Sequence, residues 1–382
     1  MIKSIVAVTR EIDDVDAAVS EILSVINPEK NLLKNSLGII SCFSEFEDTG
    51  VLKAVCDALP FECIGATTCM CAGSNQVDQV LFTITVLTSD DCDFGALKVH
   101  VGDGMDRSVK DAVKPYMDRN GKKPVMFFSF FPLINAISGD TILDAVDNAT
   151  GGLPIFGATA VDHNMDYSMA KTILNGEAFR EDLILAPVYG NVNAKFEVAS
   201  LNEKKLRSQK AIITESDVNI LISVNGKSAL EYLTEIGLTK VDLETGLGVL
   251  PLAVGHNDGR MTVARAVFAL TPEGYAVCGG AMPVNATLSV GHIDAKDVVE
   301  VTKSTVTSLV KDYDTILGYS CRARFFAQGA NKTAESEIDN EITNDVSCAF
   351  SYVGGEICPM PDDDGKLKNF YHNFTVIFCC LN

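Results

Sequence analysis

Seven residues near the C-terminal end are suited, by type and spacing, to holding a charged small molecule. They stand in the segments LGYSCRAR, SYVGGEICP and FYHNFTVIF, and they are Cys321, Arg322, Arg324, Gly355, Glu356, His372 and Asn373. Arginine has a planar guanidinium group that can capture a carboxylate or phosphate with two hydrogen bonds. An acid in the same pocket could accept hydrogen bonds from an ammonium group. Together these groups predict a site for a zwitterion such as an amino acid.

The chemistry of Cys321 depends on where the two arginines point. If the segment is a strand, alternation places Arg322 and Arg324 on the face opposite Cys321, where they form a cationic fork for an anion. If a guanidinium lies beside the thiol instead, it lowers the pKa of Cys321 and makes the thiolate reactive. The third alternative is a buried cysteine and two solvated arginines, one of them paired with Glu356.

His372 also has more than one interpretation. It could hydrogen-bond a ligand, serve as an axial haem ligand, or act as a structural donor. The five histidines show no His-x-x-x-His or His-Glu-x-x-His pattern, so we expect no metal site of standard spacing.

Small, weakly polar residues follow two predicted strands, in FECIGATTCMCAG and GLPIFGATAVDH. Gly65 and Gly157 predict tight turns. The hydroxyl groups of Thr67 and Thr159 could then lie close either to a ligand or to the backbone of the other unit. His163, which ends the second segment, has the same two interpretations as a ligand contact or a structural donor.

The composition argues against nucleic acid and membrane partners. The chain has 382 residues, with 51 acidic against 31 basic side chains and a net charge of −20. This charge opposes binding to a phosphate backbone or to an anionic membrane surface. No window reaches the roughly 18 apolar residues of a spanning helix, and the start of the chain does not resemble a signal peptide. We expect a cytoplasmic protein whose twelve cysteines are reduced.

Strand-like and helix-like segments alternate, which predicts an α/β fold of layered sheets packed with helices. The pattern strand–Ser–helix–strand–Gly-Ala-Thr occurs twice, once from Ser41 to Gly65 and once from Ser129 to Gly157. We interpret this as an internal duplication within an N-terminal domain, residues 1–216. Residues 217–382 form the second predicted domain, which carries the ligand-binding segments.

The three C-terminal segments, in this order and spacing, resemble the FIST family of F-box and intracellular signal transduction proteins. The Gly-Ala-Thr segments resemble turns of the FIST N-terminal domain, and NGKSALEYL resembles the entry to the C-terminal domain. The resemblance implies a sensory module for a small ligand, with amino acids a proposed class and haem in a subset. Because no effector domain is attached, it also implies either a separate signalling effector protein or a stand-alone binding protein.

Three hypotheses about function follow. The first is a sensor without catalysis that binds an amino acid or a similar charged metabolite and needs no cofactor. The second is a haem-based gas or redox sensor. The third is an enzyme with Cys321 as nucleophile and His372 as base, which requires the two side chains to lie close together.

Overall fold

The computed structural model describes residues 1–134, 137–164, 167–200, 210–238, 250–255, 262–329, 334–336, 347–362 and 365–382. The strands are β1 (Lys3–Thr9), β2 (Asn35–Cys42), β3 (Glu62–Thr67), β4 (Met70–Gly73), β5 (Gln76–Asp78), β6 (Phe82–Ser89), β7 (Asp93–Phe94), β8 (Leu97–His100), β9 (Pro124–Phe131), β10 (Ile155–Thr159), β11 (Thr172–Leu174), β12 (Glu177–Phe179), β13 (Asp182–Tyr189), β14 (Ala194–Ala199), β15 (Ala211–Asp217), β16 (Ile220–Val224), β17 (Lys227–Ser228), β18 (Leu252–Gly255), β19 (Val263–Arg265), β20 (Val267–Leu270), β21 (Ala276–Cys278), β22 (Thr287–Val290), β23 (Thr315–Cys321), β24 (Ser347–Val353), β25 (Gly355–Pro361), β26 (Leu367–His372) and β27 (Val376–Leu381). The helices are α1 (Val15–Ile26), α2 (Pro28–Asn31), α3 (Glu45–Asp48), α4 (Val51–Asp57), α5 (Met105–Met117), α6 (Gly139–Thr150), α7 (Ala229–Glu235), α8 (Ala295–Leu309) and α9 (Arg322–Ala327). The predicted α/β class is confirmed.

Three of the sheets share one strand arrangement. Their strand orders are β1-β6-β2-β3-β11-β12, then β7-β13-β9-β10-β25-β26 with β8 also on β13, and β14-β27-β23-β24-β4-β5. Each has a parallel pair at its centre, namely β2 with β3, β9 with β10, and β23 with β24. An antiparallel strand flanks each pair on one side and a hairpin flanks it on the other.

Each of these sheets takes its hairpin from a segment that follows the parallel pair of another sheet. The chain leaves β3 and forms β4–β5 on β24, leaves β10 and forms β11–β12 on β3, and leaves β24 and forms β25–β26 on β10. Strands from both sides of residue 216 therefore share sheets. The division into 1–216 and 217–382 stays a prediction about the sequence, as does the duplication.

The carboxyl ends of the three parallel pairs meet at one place. The Val161 amide donates to the Thr67 carbonyl at 3.0 Å, and the Gly354 amide donates to the Thr159 carbonyl at 3.0 Å. The Cys69 amide donates to the Tyr352 carbonyl at 3.3 Å. In parallel sheets, ligand sites lie at the carboxyl ends of strands. A ligand site is therefore expected where the segments that pass from one sheet to the next meet.

Gly65 and Gly157 lie inside strands β3 and β10, so the prediction that they form tight turns is wrong. Gly65 is opposite Ile40 and Gly157 is opposite Ser129, and a Cβ on either glycine would overlap the facing carbonyl. Both positions require glycine because the neighbouring backbone passes too close to leave room for a side chain. The register also shows that Ser41, which is opposite Ala66, does not occupy the same position as Ser129.

The caps of α1 and α6 are side chains of the residues that precede these helices. Asp14 caps α1 by accepting the Ala17 amide at 3.0 Å. Ser138 caps α6 by accepting the Asp140 amide at 3.2 Å. Asp140 is thereby left free to pair with a distant arginine.

That arginine belongs to a fourth sheet, whose order is β19-β18-β22-β15-β16-β21-β20 with β17 on β16. Arg265 is fully buried, and its Nη2 lies 2.9 Å from Asp140 Oδ1. Its Nη1 donates to the Tyr371 carbonyl at 2.9 Å, so one side chain ties the fourth sheet to β26 and to α6.

Within the described residues, none of the helices has the length and apolar character needed to cross a membrane.

Candidate functional site

Glu356 is a fully buried acid at the meeting point of the strand ends. It is the second residue of β25, where it pairs with Ala158 of β10 and with His372 of β26. Its Oε2 accepts a hydrogen bond from the Thr375 hydroxyl at 2.6 Å, whereas its buried Oε1 has no hydrogen-bond partner among the described residues. Burial raises the pKa of Glu356 to about 8, so the carboxyl group is largely protonated at neutral pH.

Cys321 lies next to Glu356 at the end of β23. Its amide donates to the Thr375 carbonyl at 2.9 Å, and its thiol interacts with the Glu356 carboxyl group both electrostatically and through a side-chain hydrogen bond that does not involve Oε1. Burial, with the Glu356 carboxyl group beside it, raises the pKa of the Cys321 thiol well above its ordinary value. The expectation of a thiolate activated by arginine is therefore wrong for this arrangement.

The two arginines do not form a fork, because residues 322–327 are the helix α9 and not the end of a strand. Positions two apart on a helix point in very different directions. The Arg322 guanidinium donates to the carbonyls of Asn164 at 3.0 Å and His163 at 3.3 Å. It also lies over the rings of Tyr167 and Phe326, with centroid distances of 4.9 and 5.0 Å.

Arg324 points into a separate buried network. Its Nη2 is 2.8 Å from Glu335 Oε1 and also donates to the Thr302 hydroxyl at 2.8 Å and the Val298 carbonyl at 3.2 Å. Both members of the ion pair are almost fully buried, with side-chain exposures of 1% and 0%. Arg324 therefore holds α8, α9 and the Glu335 segment together, and its charge is already compensated.

His372 and Asn373 have structural partners. His372 ends β26, and its Nε2 lies 3.1 Å from the Cys358 carbonyl. Burial lowers the pKa of His372 to about 4, so the ring is neutral. Asn373 donates to the His372 carbonyl at 2.8 Å and accepts the Ala266 amide at 3.4 Å. The Nε2 atom of His372 is therefore engaged with a backbone carbonyl, and haem ligation stays a prediction.

Gly355, Thr159 and Thr67 each have a packing role. A Cβ on Gly355 would overlap the phenol of Tyr371, whose hydroxyl lies 3.0 Å from Thr159 Oγ1. Thr67 Oγ1 accepts the Lys171 amide at 2.9 Å and so fixes the strand that enters β11. The small residues of these segments allow close contact between neighbouring strands, and a ligand contact at Thr67 or Thr159 stays a prediction.

Of the predicted residues, the structure brings together Cys321, Glu356, Gly355 and Thr159. With Tyr371 and Thr375 they form what we call the Glu356 cluster. Arg322 adjoins the cluster through Cys321, and Arg324 faces the Glu335 network instead. Gly65, Thr67 and Gly157 belong to the strand contacts described above.

The sequence analysis did not name Tyr371 and Thr375 as site residues, although both lie in the segment FYHNFTVIF. The buried Phe374 between them has a φ of +57°, which marks the turn as strained.

The position of Glu356 recurs in the two other sheets with different chemistry. The equivalent residues are Thr172 of β11, Glu356 of β25 and Met70 of β4. They pair with Ala66, Ala158 and Tyr352, respectively. All three side chains are buried, and the acid is present at one of the three positions. An acid that costs free energy to bury, at a place where threonine or methionine also fits, is typical of a functional residue.

A cavity of about 780 Å³ lies elsewhere, near the start of β1 and of β23. Its lining includes Lys3, Asn191, Asp312 and Thr315, and none of the predicted site residues.

Comparison with known proteins places the chain in a family. The model of the FIST N domain matches residues 36–227, and the model of the FIST C domain matches residues 229–359. The chain therefore belongs to the FIST family, whose domains are associated with sensing in signal transduction.

No curated protein matches the chain. A solved structure described as "Cyanuric acid hydrolase: evolutionary innovation by structural concatenation" is similar over 100% of this chain and 99% of its own, with a TM-score of 0.36 and 8% identity. At that TM-score the likeness carries no conclusion about chemistry.

Proposed function

We propose that this FIST protein is a sensor that binds a small charged metabolite, an amino acid or a similar molecule, at the Glu356 cluster without catalysis. The observation that carries the proposal is the buried Oε1 of Glu356, which has no hydrogen-bond partner among the described residues. An unsatisfied buried polar atom costs about 1–3 kcal/mol, and a bound donor would remove that cost.

The position of the cluster supports the same proposal. Cys321 ends β23, Thr159 ends β10, and Glu356 enters from the next strand, so the cluster lies at the carboxyl ends of parallel strands. Since Glu356 is fully buried, a ligand reaches it only after neighbouring side chains move. Such a movement is a means by which binding could be passed on to a separate signalling effector.

Binding without turnover is the alternative favoured over a cysteine enzyme. A nucleophilic cysteine needs its thiolate and a positioned base. The pKa of the Cys321 thiol is raised, and the neutral His372 ring is engaged with the Cys358 carbonyl. Neither group is in the state that the enzyme hypothesis requires.

A thermal-shift screen with the twenty amino acids and common metabolites tests the proposal. A true ligand raises the melting temperature by mass action, and Glu356→Gln should lose the rise. Glu235→Gln, at an exposed acid that pairs with Lys227, is the matched control and should keep it. If no compound stabilises the native protein, or if Glu356→Gln responds like the wild type, the cluster is not the ligand site.

A further inference from the structure

Glu356 is an acid without a counter-ion. Among the described residues it takes part in no ion pair, and its Oε2 is occupied by the neutral Thr375 hydroxyl. The arginine that acts on it electrostatically, Arg324, is bound to Glu335 at 2.8 Å. A cation that arrived at Oε1 would therefore be the first direct ionic partner of this carboxyl group.

The other arginine of the segment, Arg322, is already engaged through two of its three nitrogens. Its Nη1 and Nη2 donate to two backbone carbonyls, and two aromatic rings flank the guanidinium. Its Nε is buried and makes neither of these bonds. The feature that favours a positive group is therefore the acceptor left open at Glu356 Oε1.

Among the described residues, the groups that face Glu356 come from four elements, and none of the groups named below titrates near neutrality. Cys321 of β23, Cys358 of β25 and Tyr371 of β26 all have raised pKa values because they are buried, so they stay neutral. Arg324 of α9 stays charged and paired. Glu356 itself holds its proton up to a pKa of about 8.

From this arrangement we propose that the ligand is held by an ammonium group at Glu356 Oε1, and that Glu356 releases its proton to the solvent as the ion pair forms. The inference rests on the proposed function. The protonated carboxyl group and R–NH₃⁺ give the carboxylate–ammonium pair and one free H⁺, so atoms and charge balance. The physical cause is that a nearby positive charge lowers the pKa of a buried acid and offsets the cost of ionising it.

Two measurements on the full chain test the proposal. The first is calorimetric titration with three probe sets, namely the amino acids, the amines left by their decarboxylation, and the carboxylic acids left by their deamination. We expect amines to bind within about tenfold of the matching amino acid and the acids to bind at least 100-fold more weakly. The second is the titration of the best amine between pH 6 and 7 in buffers of different ionisation enthalpy. Affinity should rise about tenfold, with close to one proton released per ligand.

Variants separate this chemistry from a structural role of Glu356. Glu356→Gln keeps the shape and an acceptor for Thr375, and it should abolish both tight amine binding and proton release, whereas Glu235→Gln should change neither. Glu356→Asp keeps the acid and should keep the release of a proton, which covers the case in which the glutamine variant fails to fold.

The outcomes are distinguishable. If the acids bind as tightly as the amines, or if binding releases no proton and does not depend on pH, the inference is wrong while the sensor proposal stands. If no member of the three probe sets binds, the proposed function and the inference fail together.

Discussion

The burial of Glu356 has a measurable consequence for stability, independent of any ligand. Its pKa rises from 4.5 in an exposed chain to about 8 in the fold. The folded state then holds a proton that the unfolded state releases, so the contribution to stability is complete below pH 4.5 and is lost as the pH rises through 8. One pKa unit corresponds to about 1.4 kcal/mol, which gives a loss of about 5 kcal/mol across this range.

Glu356→Gln removes the titrating group and keeps the shape of the side chain. We expect the variant to gain stability relative to the wild type as the pH rises, with most of the change of about 5 kcal/mol falling between pH 5 and 8. His372 and the other titrating groups are present in both proteins, so their contributions cancel in the difference.

The assay is urea denaturation at half-unit steps of pH, followed by far-ultraviolet circular dichroism because the chain has no tryptophan. Glu235→Gln, an exposed acid, serves as the control, and its difference from the wild type should not vary in the same way. A Glu356→Gln difference that is constant from pH 5 to 8 would refute the assignment of a protonated, desolvated carboxyl group.

Three further predictions concern packing, buried charge and reactivity. Arg324→Met leaves the buried Glu335 carboxylate without its cation, and we expect a loss of about 3–5 kcal/mol in the free energy of unfolding by urea denaturation. Gly157→Ala forces a methyl group into the Ser129 carbonyl and should cost about 1–3 kcal/mol in the same measurement. Cys321 should react with iodoacetamide at pH 7 more slowly than free cysteine, as read by mass spectrometry of its peptide, because burial raises its pKa and blocks access.

Matched controls exist for the first two predictions. Arg107→Met breaks an exposed pair with Asp111 and should leave stability unchanged, and Gly102→Ala adds a methyl group that meets only the end of the His100 side chain. Equal losses at Arg324 and Arg107 would contradict the role of burial, and a Gly157→Ala variant as stable as Gly102→Ala would contradict the close strand approach. Rapid labelling of Cys321 in the native protein would restore the enzyme hypothesis.

The sequence was sufficient where structure depends on local patterns. Alternating strand-like and helix-like segments predicted the α/β class, which the structure confirms. The three C-terminal segments indicated the FIST family, and all three come together in space, at Cys321, Glu356 and Thr375.

The sequence was not sufficient where a short stretch allows two conformations. Alternation along LGYSCRAR predicted two arginines on one face, but the strand ends at Cys321 and the helix α9 separates them. Where a strand stops is decided by the hydrogen bonds of its neighbours, and the pattern of residues does not contain that information. The same applies to Gly65 and Gly157, which look like turn glycines until the opposite strand is known.

What the sequence by itself determined is the α/β class, the family, and the presence of an acid, a thiol and an imidazole in three nearby segments. The tertiary structure alone decided which of them meet, because β25 pairs with β10 across almost two hundred residues of chain. It also decided their protonation. A carboxyl group is ionised or neutral according to the solvent and charges around it, and only the folded neighbours of Glu356 exclude water from it.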